Sequence, residues 1–318
     1  MNGAAFDPAE ATHRVVTRQP EGVSDWDETG RIAVENRVVA ALVPYGTAVH
    51  LRVDSGGSDL GELARRSARV GEGERVLAGD GPEYRVRLPD GADTLLSALA
   101  VDPGDTDAWT ARLHELHEFA VVTPDAWLYR SVPHHAHLRE LNADGRDGAL
   151  GAVADALDEV PRSSVVPADA LASWRADGFE YELTWDTLRR RAASEGEVGG
   201  DGVGGGEAGG DDAGGSEAGG DDVGDGDASD GDAHGRWTVF DLDRLRWVAS
   251  RPDRAELVAR WRPVDSWSRR LLARVVRPAS VDPPTRVAFP DRESMADAVA
   301  ALERLRADLG YEFAVDDP

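Results

Sequence analysis

The sequence predicts an α+β protein: an N-terminal region of mixed helices and strands, then a smaller C-terminal β-rich module closed by one long helix. Three observations carry the prediction. Between Glu195 and Gly235 the chain becomes a run of glycine and acid with almost nothing to bury. On both sides of it, short apolar-polar alternations typical of half-buried strands recur. Near the end, DRESMADAVAALERLRADLG reads as a helix with Asp291 as its N-cap and Gly310 as its stop.

The elements follow in order. Arg31 to Val53 (RIAVENRVVAALVPYGTAVHLRV) is rich in β-branched residues and reads as strands around a Pro44 to Gly46 turn. DLGELARRSARV at 59–70 and TDAWTARLHELHEF at 106–119 read as helices, with EYRVRL at 83–88 an alternating strand between them. Phe119 to Val122 and Trp127 to Arg130 read as short strands or turns, and Pro133 suits the first turn of a further helix. GALGAVADALDEV at 148–160 is a helix stopped by Pro161, and ADALASWRADG ends in Gly178 before the strand FEYELTW.

The segment from Glu195 to Gly235 holds 17 of the 35 glycines and 13 acidic residues. Such a composition cannot bury enough apolar surface to offset its ordering entropy, so a disordered linker or inserted loop is expected at 193–235. It divides the chain into regions 1–192 and 236–318, or else interrupts one sheet. The run from Asp225 to Gly231 has its glycine misplaced for a calcium-binding EF-hand loop and lacks the closing Glu. After the segment, RWTVFDL, LRWVAS, AELVARW and TRVAFP read as strands, the second and third joined across a Pro252 to Arg254 turn.

Sixty acidic against 35 basic residues leave a formal net charge of -25 in 318 residues, and every basic residue is Arg. An acid-rich, lysine-free chain resembles the proteins of salt-in halophilic archaea, where surface carboxylates hold hydration water in concentrated salt. With no Cys there is no disulfide, no thiolate chemistry, no iron-sulfur cluster and no cysteine-ligated zinc. With no Lys there is no Schiff base to pyridoxal phosphate or to a substrate, and no P-loop lysine. The opening MNGAAFDPAEATHR lacks a basic and apolar leader, and no apolar run reaches spanning length, so a cytoplasmic protein without a membrane span is expected.

Two stretches carry candidate chemistry. Five of the eight histidines fall between 114 and 137. His114 and His117 stand at i and i+3 with Glu118 beside them, and His134 and His137 repeat the spacing downstream. If the two segments converge, these nitrogens and Glu118 would suit a divalent transition metal, and the chain would be a metal-binding protein or metal-dependent hydrolase. The bland alternative is a polar surface rich in imidazole.

The other stretch, from Arg236 to Arg277, holds 11 Arg against five acids, with Trp237, Trp247, Trp261 and Trp267 interleaved. Guanidinium groups beside aromatic rings are what contact with a phosphate backbone and stacked bases requires. Arg246, Trp247, Arg260, Trp261 and Arg262 lie on the strands. Arg270, Arg274 and Arg277 would line one side of a basic amphipathic helix in DSWSRRLLARVVRP. A binding or regulatory protein without catalysis of its own, engaging nucleic acid or another polyanion through this module, is the leading expectation. Simple alternation, Trp inward and Arg outward, would produce the same pattern.

One further motif, WTVFDLDRL at 237–245, resembles the Asp-x-Asp strand end of haloacid-dehalogenase-like phosphatases, with Asp241 and Asp243 in the two acidic places. Arg244 and Leu245 depart from that pattern, and only 75 residues remain after Asp243. Acids ending a strand explain it better.

Overall fold

The protein is described by a computed structural model covering residues 7–18, 28–54, 58–100, 111–133, 139–193, 237–263 and 282–316. Helices and several sheets make it α+β. An eight-stranded sheet has the order β3-β4-β2-β5-β6-β7-β1-β8. Its strands are β1 His13–Thr17, β2 Ala48–Val53, β3 Ala68–Arg69, β4 Tyr84–Arg87, β5 Leu116–Val122, β6 Trp127–Ser131, β7 Arg139–Leu141 and β8 Ser163–Pro167. All neighbours run antiparallel. Against one face pack α1 Glu28–Leu42, α2 Asp59–Arg66, α3 Ala92–Leu99 and α4 Asp147–Leu157, sharing a core with Leu51, Phe119, Val121 and Leu128.

The strand expected from Arg31 is the body of α1. Ile32, Glu35, Val38, Val39 and Leu42 are buried at spacings of three and four, so the helical period overrides the β-branched composition. The chain leaves α1 through Gly46, where a Cβ would come within 2.7 Å of the Val121 side chain. The helix expected over 106–119 survives among the described residues only as a helical turn, Ala111–Glu115. From Leu116 onward the chain is β5, held between β2 and β6, a placement the apolar run Phe119 to Val122 fits. His117 is therefore on a strand.

A second sheet, order β12-β11-β10-β9, is built from β9 Ala172–Ala176, β10 Phe179–Leu183, β11 Thr187–Ala192 and β12 Thr238–Asp241. Asp177 and Gly178 both have positive φ, 51° and 76°, and so close the tight hairpin from β9 to β10. The run ending in Gly178 is thus a strand and its turn. Strands β11 and β12 pair antiparallel, Arg190 opposite Thr238. The acidic segment therefore connects two hydrogen-bonded neighbours, and the boundary expected at 192 falls inside a sheet.

A third sheet, order β15-β14-β13-β16, comprises β13 Leu245–Arg251, β14 Glu256–Trp261, β15 Arg286–Ala288 and β16 Ala314–Asp316. Its inward residues meet those of the second sheet and α5, Arg292–Leu309, in one core with Trp174, Tyr181, Phe240 and Phe289. The ends of α5 are as expected: the Asp291 carboxylate accepts from Ser294 N–H, and Gly310 stops the helix in the left-handed region.

The two cores meet back to back on β1. Val15 belongs to the first and Val16, one residue on and pointing the opposite way, to the second. Burial of each contributes roughly 1.5–3 kcal/mol. Among the described residues no helix is long and apolar enough to cross a membrane.

Candidate functional site

On β14, Leu257, Ala259 and Trp261 alternate inward and Val258 and Arg260 outward. A bulge in β13 after Leu245 brings Trp247 opposite Arg260. The Arg260 guanidinium lies 4.9 Å from the centre of the Trp247 ring, and the ring is fixed by its Nε1–H, which donates to Asp316 on β16. Arg260 is exposed and forms no ion pair among the described residues, in a chain where acids far outnumber bases. Arg246, also exposed, precedes Trp247 on the same strand.

The other candidates of this stretch have structural tasks. Trp261 packs toward Phe240, ring centres 6.2 Å apart, and donates from Nε1 to Pro284 O at 2.8 Å. Arg262 donates its backbone N–H to Arg244 O at 2.6 Å, and its guanidinium lies 3.5 Å from Glu312. Arg270, Arg274 and Arg277 lie outside the described residues.

Sequence reasoning missed a second pairing of the same kind on the neighbouring sheet. Arg191 lies 4.5 Å from the ring centre of Trp237, beside Arg175, and both guanidiniums hold Glu180. The alternation in TLRRRA was the available signal, but these arginines precede the acidic segment while Trp237 follows it.

The histidine stretch divides. His114 is exposed at the helical turn. His117 places Nε2 3.0 Å from the Asp54 carboxylate. Glu118 points to the opposite side of the helix-packed face, and both its oxygens are taken: Arg52 lies 3.0 Å from Oε2, and Arg130 donates to Oε1 at 2.6 Å. Arg130 continues to Glu140 at 3.0 Å, so alternating charges run from β2 to β7. His134 and His137 lie outside the described residues. Among the described residues no three metal-ligating side chains converge.

The two acids of the phosphatase-like motif also hold structure. Asp241 accepts from the Asp243 N–H at 2.8 Å and caps the turn Leu242–Arg244, and burial, with Asp243 nearby, pushes its carboxyl up. Asp243 is taken by Arg18, the residue after β1, at 2.6 Å.

Two buried polar groups have no counterpart in the sequence reading. Beneath the eight-stranded sheet, Glu35 of α1 accepts from Arg112, Arg139 and Ser131 at 3.0, 3.1 and 2.6 Å. Burial pushes the Glu35 carboxyl up, but Arg139 and Arg112 outweigh it and hold the group below its ordinary value. On the opposite face, His50 of β2 meets Glu83 at 2.6 Å. Period-2 alternation in AVHLRV already sets Ala48, His50 and Arg52 apart from Val49, Leu51 and Val53. It gives no hint of a partner 33 residues away.

Compared with known proteins, the chain matches no protein family, no curated protein and no solved structure.

Proposed function

We propose that this protein is a binding or regulatory protein whose C-terminal module, without catalysis of its own, engages an anionic, ring-bearing partner, single-stranded nucleic acid being the class that fits best. The observation that carries the reading is Arg260 held over Trp247 on the outward side of the third sheet, without a carboxylate of its own among the described residues. A guanidinium offers a phosphate two parallel N–H donors, and an indole face accepts a base of any sequence. Fixing of the Trp247 ring by Asp316 lowers the entropy lost when a base stacks on it.

The composition supports the same mode of binding. In molar salt the screening length is about 3 Å, so long-range repulsion by the acidic surface is suppressed while direct contacts and stacking persist. Arg246 on the same strand supplies a second cation to a backbone running along β13.

The test is a titration of the full chain with a dT20 oligonucleotide in 2 M KCl, followed by tryptophan fluorescence. Saturable quenching in the wild type that is lost in Trp247→Leu supports the reading. Absence of binding to both oligodeoxynucleotide and oligoribonucleotide across 0.2–2 M KCl rules it out.

A further inference from the structure

We infer that His50 is the general base of a small hydrolytic site on the eight-stranded sheet, separate from the Arg260 and Trp247 face and acting on a compact acyl ester with water as co-reactant. The site is a cleft of about 170 Å³ beside β2, between Val76 on one side and the turn after β5 on the other. Val76, Val122, Pro124 and Trp127 give it apolar walls, and His50, Arg85 and Glu74 are its titratable groups. Those apolar walls suit a short acyl unit.

The dyad has the construction a general base requires. Glu83 is buried, and besides His50 it accepts the backbone N–H groups of Val76 at 3.0 Å and Leu77 at 3.3 Å. Burial pushes its carboxyl up, but the His50 hydrogen bond and those backbone donors hold it below the ordinary value, so Glu83 is the anion. An ionised carboxylate 2.6 Å from Nδ1 can only accept, which places a proton on Nδ1, so that in the neutral imidazole the lone pair is on Nε2. Among the described residues Nε2 has no hydrogen-bond partner. A carboxylate orienting an imidazole that lines a cleft is the arrangement that moves protons in hydrolysis.

The step closes on itself. Nε2 takes a proton from water as the water oxygen bonds to the acyl carbon. The bond from that carbon to the leaving alcohol oxygen then breaks, the alkoxide takes the proton back from Nε2, and acid and alcohol leave with the imidazole restored. Arg85, whose guanidinium stands 3.5 Å from Glu74, is the cation lining the cleft where the acyl oxygen gains charge.

The test uses the full chain and p-nitrophenyl acetate. The wild type should release p-nitrophenol faster than eight equivalents of free imidazole, and His50→Gln should lose at least tenfold of the excess, in keeping with the 10²–10⁴ usual for general bases. His114→Gln and His117→Gln, which alter imidazoles outside the cleft, should leave the rate unchanged. Nitrogen-15 chemical shifts of wild-type His50 need no substitution and must report Nδ1–H with bare Nε2. A rate equal in wild type and folded His50→Gln, a wild-type rate no greater than that of free imidazole, or a His50 ring protonated on Nε2 alone overturns the assignment.

Discussion

Arg18, the residue after β1, donates from Nε and Nη2 to one oxygen of Asp243 at 2.9 and 2.6 Å, joining positions 225 residues apart. Its Nη1 donates to Gly310 O at 2.8 Å just past α5, and its guanidinium lies 4.2 Å from the Tyr311 ring centre. One buried side chain thus ties the eight-stranded sheet to the end of the C-terminal helix.

Arg18→Met should therefore destabilise the protein by about 1–3 kcal/mol, since it strands the Gly310 carbonyl as well as removing an ion pair. Asp243→Asn should cost less than about 1 kcal/mol, because Asp243 is 53% exposed and solvent screens it. Guanidinium chloride unfolding at fixed ionic strength distinguishes the two. Equal losses would mean that the ion pair, and not the carbonyl contact, carries the link.

The Glu35 cluster should respond asymmetrically. Glu35→Ala leaves two buried guanidiniums without their shared acceptor and should cost about 3–5 kcal/mol. Arg112→Met should cost markedly less, because among the described residues Nε and Nη1 of Arg112 have no hydrogen-bond partner to lose. Thermal unfolding of the two variants gives the order, and a larger loss for Arg112→Met would refute this account of the cluster.

The same cluster sets a pH dependence. The Glu35 carboxyl is lower in the folded protein than its ordinary 4.5, so folding favours the anion. Its contribution is in full force above pH 4.5 and is lost as the pH falls through the folded value. Stability measured downward from pH 6 should decline below about 4.5, and Glu35→Gln should flatten that part of the decline. An unchanged slope in Glu35→Gln would assign the decline to other carboxyls.

Because β11 and β12 are adjacent, the acidic segment can be cut out. Replacing residues 194–236 by a four-residue turn containing Asn-Gly should preserve the fold and, through shorter loop closure, add about 2 kcal/mol. Circular dichroism and melting of the shortened chain check this. Separation of the chain into two independently melting parts would contradict the pairing.

How far the sequence reveals the molecule depends on how local each signal is. Helix α5 was legible because Asp291 and Gly310 mark its ends within the chain itself. Helix α1 was not, because its valines favour strands and only burial of Glu35 among them exposes the helical period. In the candidate face, Trp247 and Arg260 could be named but not paired, since their register depends on the bulge after Leu245. Alternation puts neighbouring Trp261 inside, so the aromatic count of the segment overstated its surface. His50 and Glu83 went unseen because backbone pairing between β2 and β4 brings them together, and no spacing encodes that.

The central claim, that Arg260 over Trp247 receives an anionic strand, is tested most directly by the salt dependence of oligonucleotide binding between 0.2 and 2 M KCl. Loss of one phosphate contact in Arg260→Ala should reduce the slope of log K against log salt by about 0.7. Trp247→Leu should weaken binding by about 1–3 kcal/mol per stacked base with the slope unchanged. Identical affinities and slopes for the wild type and both variants would contradict the claim.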